Sequence, residues 1–155
     1  MKKVLIALDY NPTAQKVAEM GYALAKAMNS EVILLHVTEE PNYYSSFEYG
    51  PIMGYNGFIN SDLLNIVEPE EVKQASLDFL DQTKKHLDDQ SIKTMVAEGE
   101  IPATIIKTAN EISAEVIVMG SHSRRWLEKI LMGSVTETVL NHSSIPVFII
   151  PTKQR

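Results

Sequence analysis

The apolar residues of this chain alternate between unbroken runs and helical stripes. Val4 to Leu8 is a continuous apolar run, the mark of a strand buried on both faces. Asn11-Pro12 follows and predicts a helix opening there, because Asn caps helix starts and Pro suits the first helical position. Val17, Met20, Gly21, Leu24, Ala25 and Met28 recur at helical spacing, and Asn29-Ser30 ends that stripe. Val32 to Val37 predicts a second buried strand. The next helix starts at Pro69-Glu70-Glu71, whose acidic residues suit its positive end. Val72, Ser76, Phe79, Leu80, Thr83 and Leu87 mark its inner face. Ile92 to Ala97 reads as a third strand, Gly99 as a turn, and Pro102 as the start of a helix through Ile105, Ile106, Ala109 and Ile112. Val116 to Met119 is a fourth strand ending at Gly120, Val135 to Leu140 a helix, and Pro146 to Ile150 a fifth strand.

This succession of strand and helix predicts an α/β fold with a parallel sheet and helices on both faces. Ligands in such sheets sit beyond the carboxyl ends of the strands, where strand order reverses. The positions there are Asp9, the loop after Val37, Glu98-Gly99 and the loop from Gly120 to Gly133. The fifth strand is expected at an edge, where Val147, Phe148, Ile149 and Ile150 need covering or pairing. One stretch breaks the pattern. Residues 38–65 hold Tyr43, Tyr44, Phe47, Tyr49, Tyr55 and Phe58 among Gly, Asn and Ser. A segment this long without periodicity is a binding loop, a lid or a packed surface loop, and a flap or a dimer contact is the expected role.

The length of 155 residues fits a single domain, residues 1–155. There are no cysteines, which excludes disulfides, thiolate metal sites and thiol catalysis. The net charge of −6 argues against nucleic acid as a partner, but leaves room for a local phosphate site made of backbone N–H groups. The opening Met1-Lys2-Lys3 and its apolar run imitate a signal peptide, yet the run stops at Asp9. No stretch approaches the roughly 18 apolar residues of a membrane span. A cytoplasmic protein without membrane contact is expected.

The candidate chemistry lies in Met119-Gly120-Ser121-His122-Ser123 and Gly133-Ser134-Val135-Thr136-Glu137. Gly120 allows close approach of backbone to a ligand. Gly133-Ser134 stands where a helix begins, and free N–H groups with the helix dipole make an anion site there. A bland alternative exists: Ser134-x-x-Glu137 fits a capping box that satisfies the helix end without a ligand. The Walker pattern and the dinucleotide G-x-G-x-x-G after the first strand are both absent.

Gly120-x2-Ser123-x9-Gly133-Ser134 resembles the nucleotide-binding signature of ATP-binding universal stress proteins, G-x2-G-x9-G-[ST]. Glu31 to Val37, Val116 to His122, Gly133 to Glu137, the first strand ending in Asp9 and Pro146 to Pro151 also resemble segments of that family. The resemblance implies a five-stranded parallel sheet of order 3-2-1-4-5. It implies that Ala7, Leu8, Asp9 and Val37 flank adenine and ribose, that Met119 and Gly120 line them, and that Ser123, Gly133, Ser134 and Val135 hold phosphates. A magnesium ion would sit beside those phosphates, with Asp9 as a candidate side chain, and His122 is a candidate phosphate contact. It further implies a homodimer formed through the edge strand Pro146–Pro151. The one departure is Ser123 in place of the second glycine. Where that position needs φ > 0, Ser costs about 1 kcal/mol; where it needs a small donor, Ser supplies an N–H and a hydroxyl.

The expected function is therefore adenine-nucleotide binding with a regulatory role. The alternative is a nucleotide-independent member of the same family that acts through dimerisation and protein partners. No catalytic residue is assigned: no nucleophile elbow appears, and Asp9 and His122 support slow ATP hydrolysis at most. His36, His86 and His142 show no metal spacing and read as structural or exposed. Arg124 and Arg125 read as solvated surface, and Trp126, Leu127, Ile130 and Leu131 as packing of the loop.

Overall fold

The computed structural model describes residues 1–39, 69–121 and 133–152. The segment 40–65, most of the irregular stretch, lies outside these residues, as do His122, Ser123, Arg124 and Arg125, and Trp126, Leu127, Ile130 and Leu131. Five strands, β1 (Lys3–Ala7), β2 (Glu31–Thr38), β3 (Lys93–Glu98), β4 (Val116–Gly120) and β5 (Val147–Ile150), form one sheet in the order β3-β2-β1-β4-β5. Every pairing is parallel, with Ile6 level with Leu34 on one side and Val118 on the other. The order reverses between β1 and β4. Parallel strands need a crossover connection, and the described helices α1 (Ala14–Ala27), α2 (Pro69–Leu87), α3 (Ile101–Glu111) and α4 (Ser134–His142) lie between them.

The unbroken apolar runs are explained by two cores. Val4, Ile6, Leu8, Val32, Leu34 and Val118 pack against Val17, Ala18 and Ala25 of α1 and Leu80 of α2. The alternate residues Leu5, Ile33, Leu35, Val37, Ile117 and Met119 face the other way, onto Ile105 and Ala109 of α3 and Val139 of α4. The inner strands are thus buried on both sides, as their sequence demands. The weaker apolar pattern of β3 fits its edge position, where every residue keeps some exposure.

Most boundaries differ from the sequence reading by a residue or so, and three of the differences have a clear physical reason. Helix α1 opens at Ala14 with Thr13 as its N-cap, not at Asn11-Pro12. Two successive side-chain turns delay it. Asp9 Oδ1 accepts the Asn11 N–H at 3.1 Å, and Asn11 Oδ1 accepts the Thr13 N–H at 2.9 Å and the Thr13 hydroxyl at 2.6 Å. Such local bonds compete with helix. Strand β2 runs one residue further, through Thr38, because it pairs with β3 up to Glu98. The third difference, at α4, belongs to the site. The ends of α1 and α3 use one device: Asn29 and Ser113 take φ of 51° and 58°. The following N–H groups, of Ser30 and Ala114, reach back to Ala25 and Ala109 at 2.9 and 2.8 Å. Both are Schellman closures.

Candidate functional site

The reversal of strand order brings together the carboxyl ends of β1 and β4 and the N-terminus of α4. Ala7 closes β1, and beside it Met119 and Gly120 close β4. Ala7, Val37, Met119 and Val135 all belong to the core on the α3–α4 side of the sheet. Leu8 does not: its side chain packs with Ala14 and Val17 on the α1 side. Its backbone is held by Leu8 N–H to Leu35 O at 2.8 Å and by His36 Nδ1–H to Leu8 O at 2.8 Å. His36 is buried in a three-ring cluster with Tyr10 and Phe79, its ring centroid 4.5 and 5.6 Å from theirs. Tyr10 closes the cluster with a hydrogen bond of 3.1 Å to Ser76, whose own hydroxyl donates to Val72 O. His36 is therefore structural. Asp9 is exposed and spends one carboxylate oxygen on the Asn11 turn.

The entry to α4 departs from the capping box. The N-cap is Gly133, with φ −69° and ψ 158°, and Ser134 is already the first helical residue. No side chain caps this end. The first intrahelical bond runs from Glu137 N–H to Gly133 O at 2.9 Å. The N–H groups of Ser134, Val135 and Thr136 thus precede the helical ladder and point out of its positive end. Ser134 is exposed, Val135 half-buried and Thr136 buried. A cap at Gly133 shifts Ser134 from the extended position in which its hydroxyl could reach back to the helix donors, so the Ser–Glu pair does not form.

Hydroxyl groups that the sequence reading passed over tie this region together. Thr136 Oγ1 donates to Gly120 O at 2.8 Å. Ser121 N–H bonds Ile150 O at 2.9 Å, and Ser121 O accepts the Gly133 N–H at 3.2 Å, so the two ends of the 121–133 loop meet. Ser121 Oγ accepts the Thr152 N–H at 3.0 Å, and Lys16 Nζ reaches Pro151 O at 2.9 Å. Local pattern gives no signal for these contacts, because their partners lie far apart in the chain. Among the described residues no cluster of three His, Asp or Glu side chains is placed to hold a metal ion. No described helix is long and apolar enough to cross a membrane. A shallow groove lies at the opposite, amino end of the sheet, lined by Lys3, Glu31, Lys84, Ser91 and Lys93. Within it Lys3 bonds Ile112 O and Lys93 pairs with Glu31, so these two cations are engaged in holding the strand starts.

The comparisons with known proteins agree with this geometry. The universal stress protein family model matches residues 1–151. A universal stress protein of Methanocaldococcus jannaschii is 30% identical over 98% of this chain and 96% of its own length. Its solved structure superposes with a TM-score of 0.72 over 99% of this chain and 98% of that one, at 29% identity. A universal stress protein of Bacillus subtilis is 29% identical, covering 96% of this chain and 97% of that protein. Two further structures share the fold: a universal stress protein in complex with cAMP (TM-score 0.66, 18% identity, 98% of both chains), and one from Archaeoglobus fulgidus in complex with dAMP (TM-score 0.63, 17% identity, 97% and 98%). The strand order, the paired cores and the match along nearly the whole length lead to one conclusion: this chain belongs to the universal stress protein family.

Proposed function

We propose that this protein binds an adenine nucleotide at the switch point between β1 and β4 and acts as a regulatory nucleotide-responsive protein. The observation that carries the reading is the uncapped start of α4, with Gly133 as N-cap beside the end of β4. N–H groups in that position favour an anion by hydrogen bonding and by the helix dipole. The phosphates would lie against Gly133, Ser134 and Val135, with Ser123 and His122 as further contacts. Base and ribose would lie against Ala7, Val37, Met119 and Gly120 and the backbone of Leu8, with Asp9 at the ribose. The cAMP and dAMP complexes of fold relatives support an adenine nucleotide in this family. Magnesium would arrive with the phosphates, and Asp9 is the acidic side chain nearest in sequence to the end of β1. The reading is one of binding and not of turnover.

Calorimetric titration of nucleotide-stripped protein with Mg-ATP, beside a Gly133→Asp variant, tests it. The φ of −69° at Gly133 is open to any residue, and Asp is itself a good N-cap. The variant therefore introduces a carboxylate at the phosphate position without backbone strain. The expected result is dissociation in about the micromolar range for the wild type and none for the variant. A folded wild type without affinity would favour the nucleotide-independent alternative, for which the apolar β5 edge and a homodimer through Pro146–Pro151 are the features to pursue.

A further inference from the structure

Thr136 sits in the first turn of α4, and its hydroxyl leaves its own helix. Helical Thr ordinarily returns its proton to a carbonyl one turn back, as Thr138 does to Ser134 O at 2.8 Å. Thr136 instead crosses to Gly120 O at 2.8 Å, although 16 residues separate the two. Thr136 is itself buried, at 3% exposure, so its hydroxyl has little access to water as a substitute partner. Gly120 is the last residue of β4 and Ser134 the first of α4. The Thr136 bond therefore joins the two walls between which a phosphate would lie. A second tie runs beside it, from Gly133 N–H to Ser121 O at 3.2 Å.

We propose that Thr136 is a positioning residue for the polyphosphate: its bond to the Gly120 carbonyl fixes the gap between the end of β4 and the donors of α4. This rests on the nucleotide reading above and deepens it. Packing alone would be served by Val, which matches Thr in shape. Loss of the hydroxyl removes this bond between the end of β4 and the first turn of α4, and the two walls shift relative to one another. A site held to within about 0.5 Å loses affinity on such a shift. The loss should fall on the phosphates and spare the base, whose walls at Ala7, Val37 and Met119 lie in the sheet.

The test compares Mg-ATP and adenosine affinities of the wild type, Thr136→Val and Thr136→Ser, with melting temperatures measured in parallel and titrations run well below them. The expected result is a loss of about tenfold in ATP affinity for Thr136→Val, an adenosine affinity within about twofold of the wild type, and ATP affinity restored in Thr136→Ser. A Thr136→Val protein that binds ATP as the wild type does would overturn the proposal while the nucleotide reading stands. Equal losses for ATP and adenosine would also overturn it, by showing a general structural effect. A wild type that binds neither ligand would remove the nucleotide reading itself, and this proposal with it.

Discussion

Helix α1 lies so close to the sheet that a single methyl group decides its seating. Gly21, near the middle of α1, faces the fully buried side chains of Ile6 and Val118. A Cβ added at Gly21 would stand 2.8 Å from Ile6 Cδ1, 3.0 Å from Ile6 Cγ1 and 3.1 Å from Val118 Cγ1. Carbon atoms pack best at about 3.5–4.0 Å, so all three contacts are too short. Two effects oppose each other in Gly21→Ala. Helix propensity favours Ala by about 1 kcal/mol. Overpacking a closed core costs about 1–3 kcal/mol. Ile6 is fully enclosed and cannot swing its δ-methyl aside, so the second effect wins, and a net loss of about 1 kcal/mol is expected. Denaturant unfolding, with the midpoint shifted at constant slope, measures it. The pairing with Ile6 is checked by a double-mutant cycle. Ile6→Val alone costs about 1 kcal/mol; in the G21A background, where it removes the closest atom, it should be neutral or stabilising. A Gly21→Ala protein about 1 kcal/mol more stable than the wild type would refute the reasoning, because propensity would then have met no steric opposition.

Two further perturbations test separate parts of the molecule. Asp89 accepts hydrogen bonds from the Ser91 hydroxyl and N–H and from Tyr22, and these hold its carboxyl well below the usual carboxylate range. A folded pKa below the unfolded one stabilises the protein above the unfolded value of about 4. That stability is lost as pH falls below about 4 toward the folded pKa. Asp89→Asn should therefore lower the melting temperature at neutral pH, and its difference from the wild type should shrink in acid; a difference constant with pH would contradict this. At the β5 edge, Phe148 is 41% exposed; the proposed homodimer through this strand predicts a dimer for the wild type and a monomer for Phe148→Lys in analytical ultracentrifugation. An unchanged dimer would place the interface elsewhere.

The parts of the fold that were legible in the sequence are those set by local pattern. β1, β2 and β4 announced themselves because strands buried on both faces leave little room for polar residues, as Val4–Ile6 and Val32–Leu35 show. Helix ends written in a single residue were also readable, as at Asn29. The start of α1 was misplaced because Asp9 and Asn11 form turns that look like a cap, and the start of α4 because Ser134 and Glu137 have capping-box spacing while the chain caps with Gly133. The ties that shape the site were beyond reach. Thr136 to Gly120, Thr152 to Ser121 and His36 to Leu8 span 16, 31 and 28 residues. A hydroxyl or imidazole that bonds across such distances imposes no period on its neighbours, and only the folded chain reveals its partner.

In the proposed function, the phosphates of a nucleotide lie on the first turn of α4. Amide chemical shifts of isotope-labelled protein, followed by NMR during titration with Mg-ATP and separately with adenosine, test it at the residues concerned. The account predicts that the N–H signals of Gly133, Ser134, Val135 and Thr136 move with ATP and stay nearly still with adenosine, while those of Ala7 and Met119 move with both. Shifts absent from α4, or confined to Lys3, Glu31 and Lys93 at the opposite end of the sheet, would contradict it.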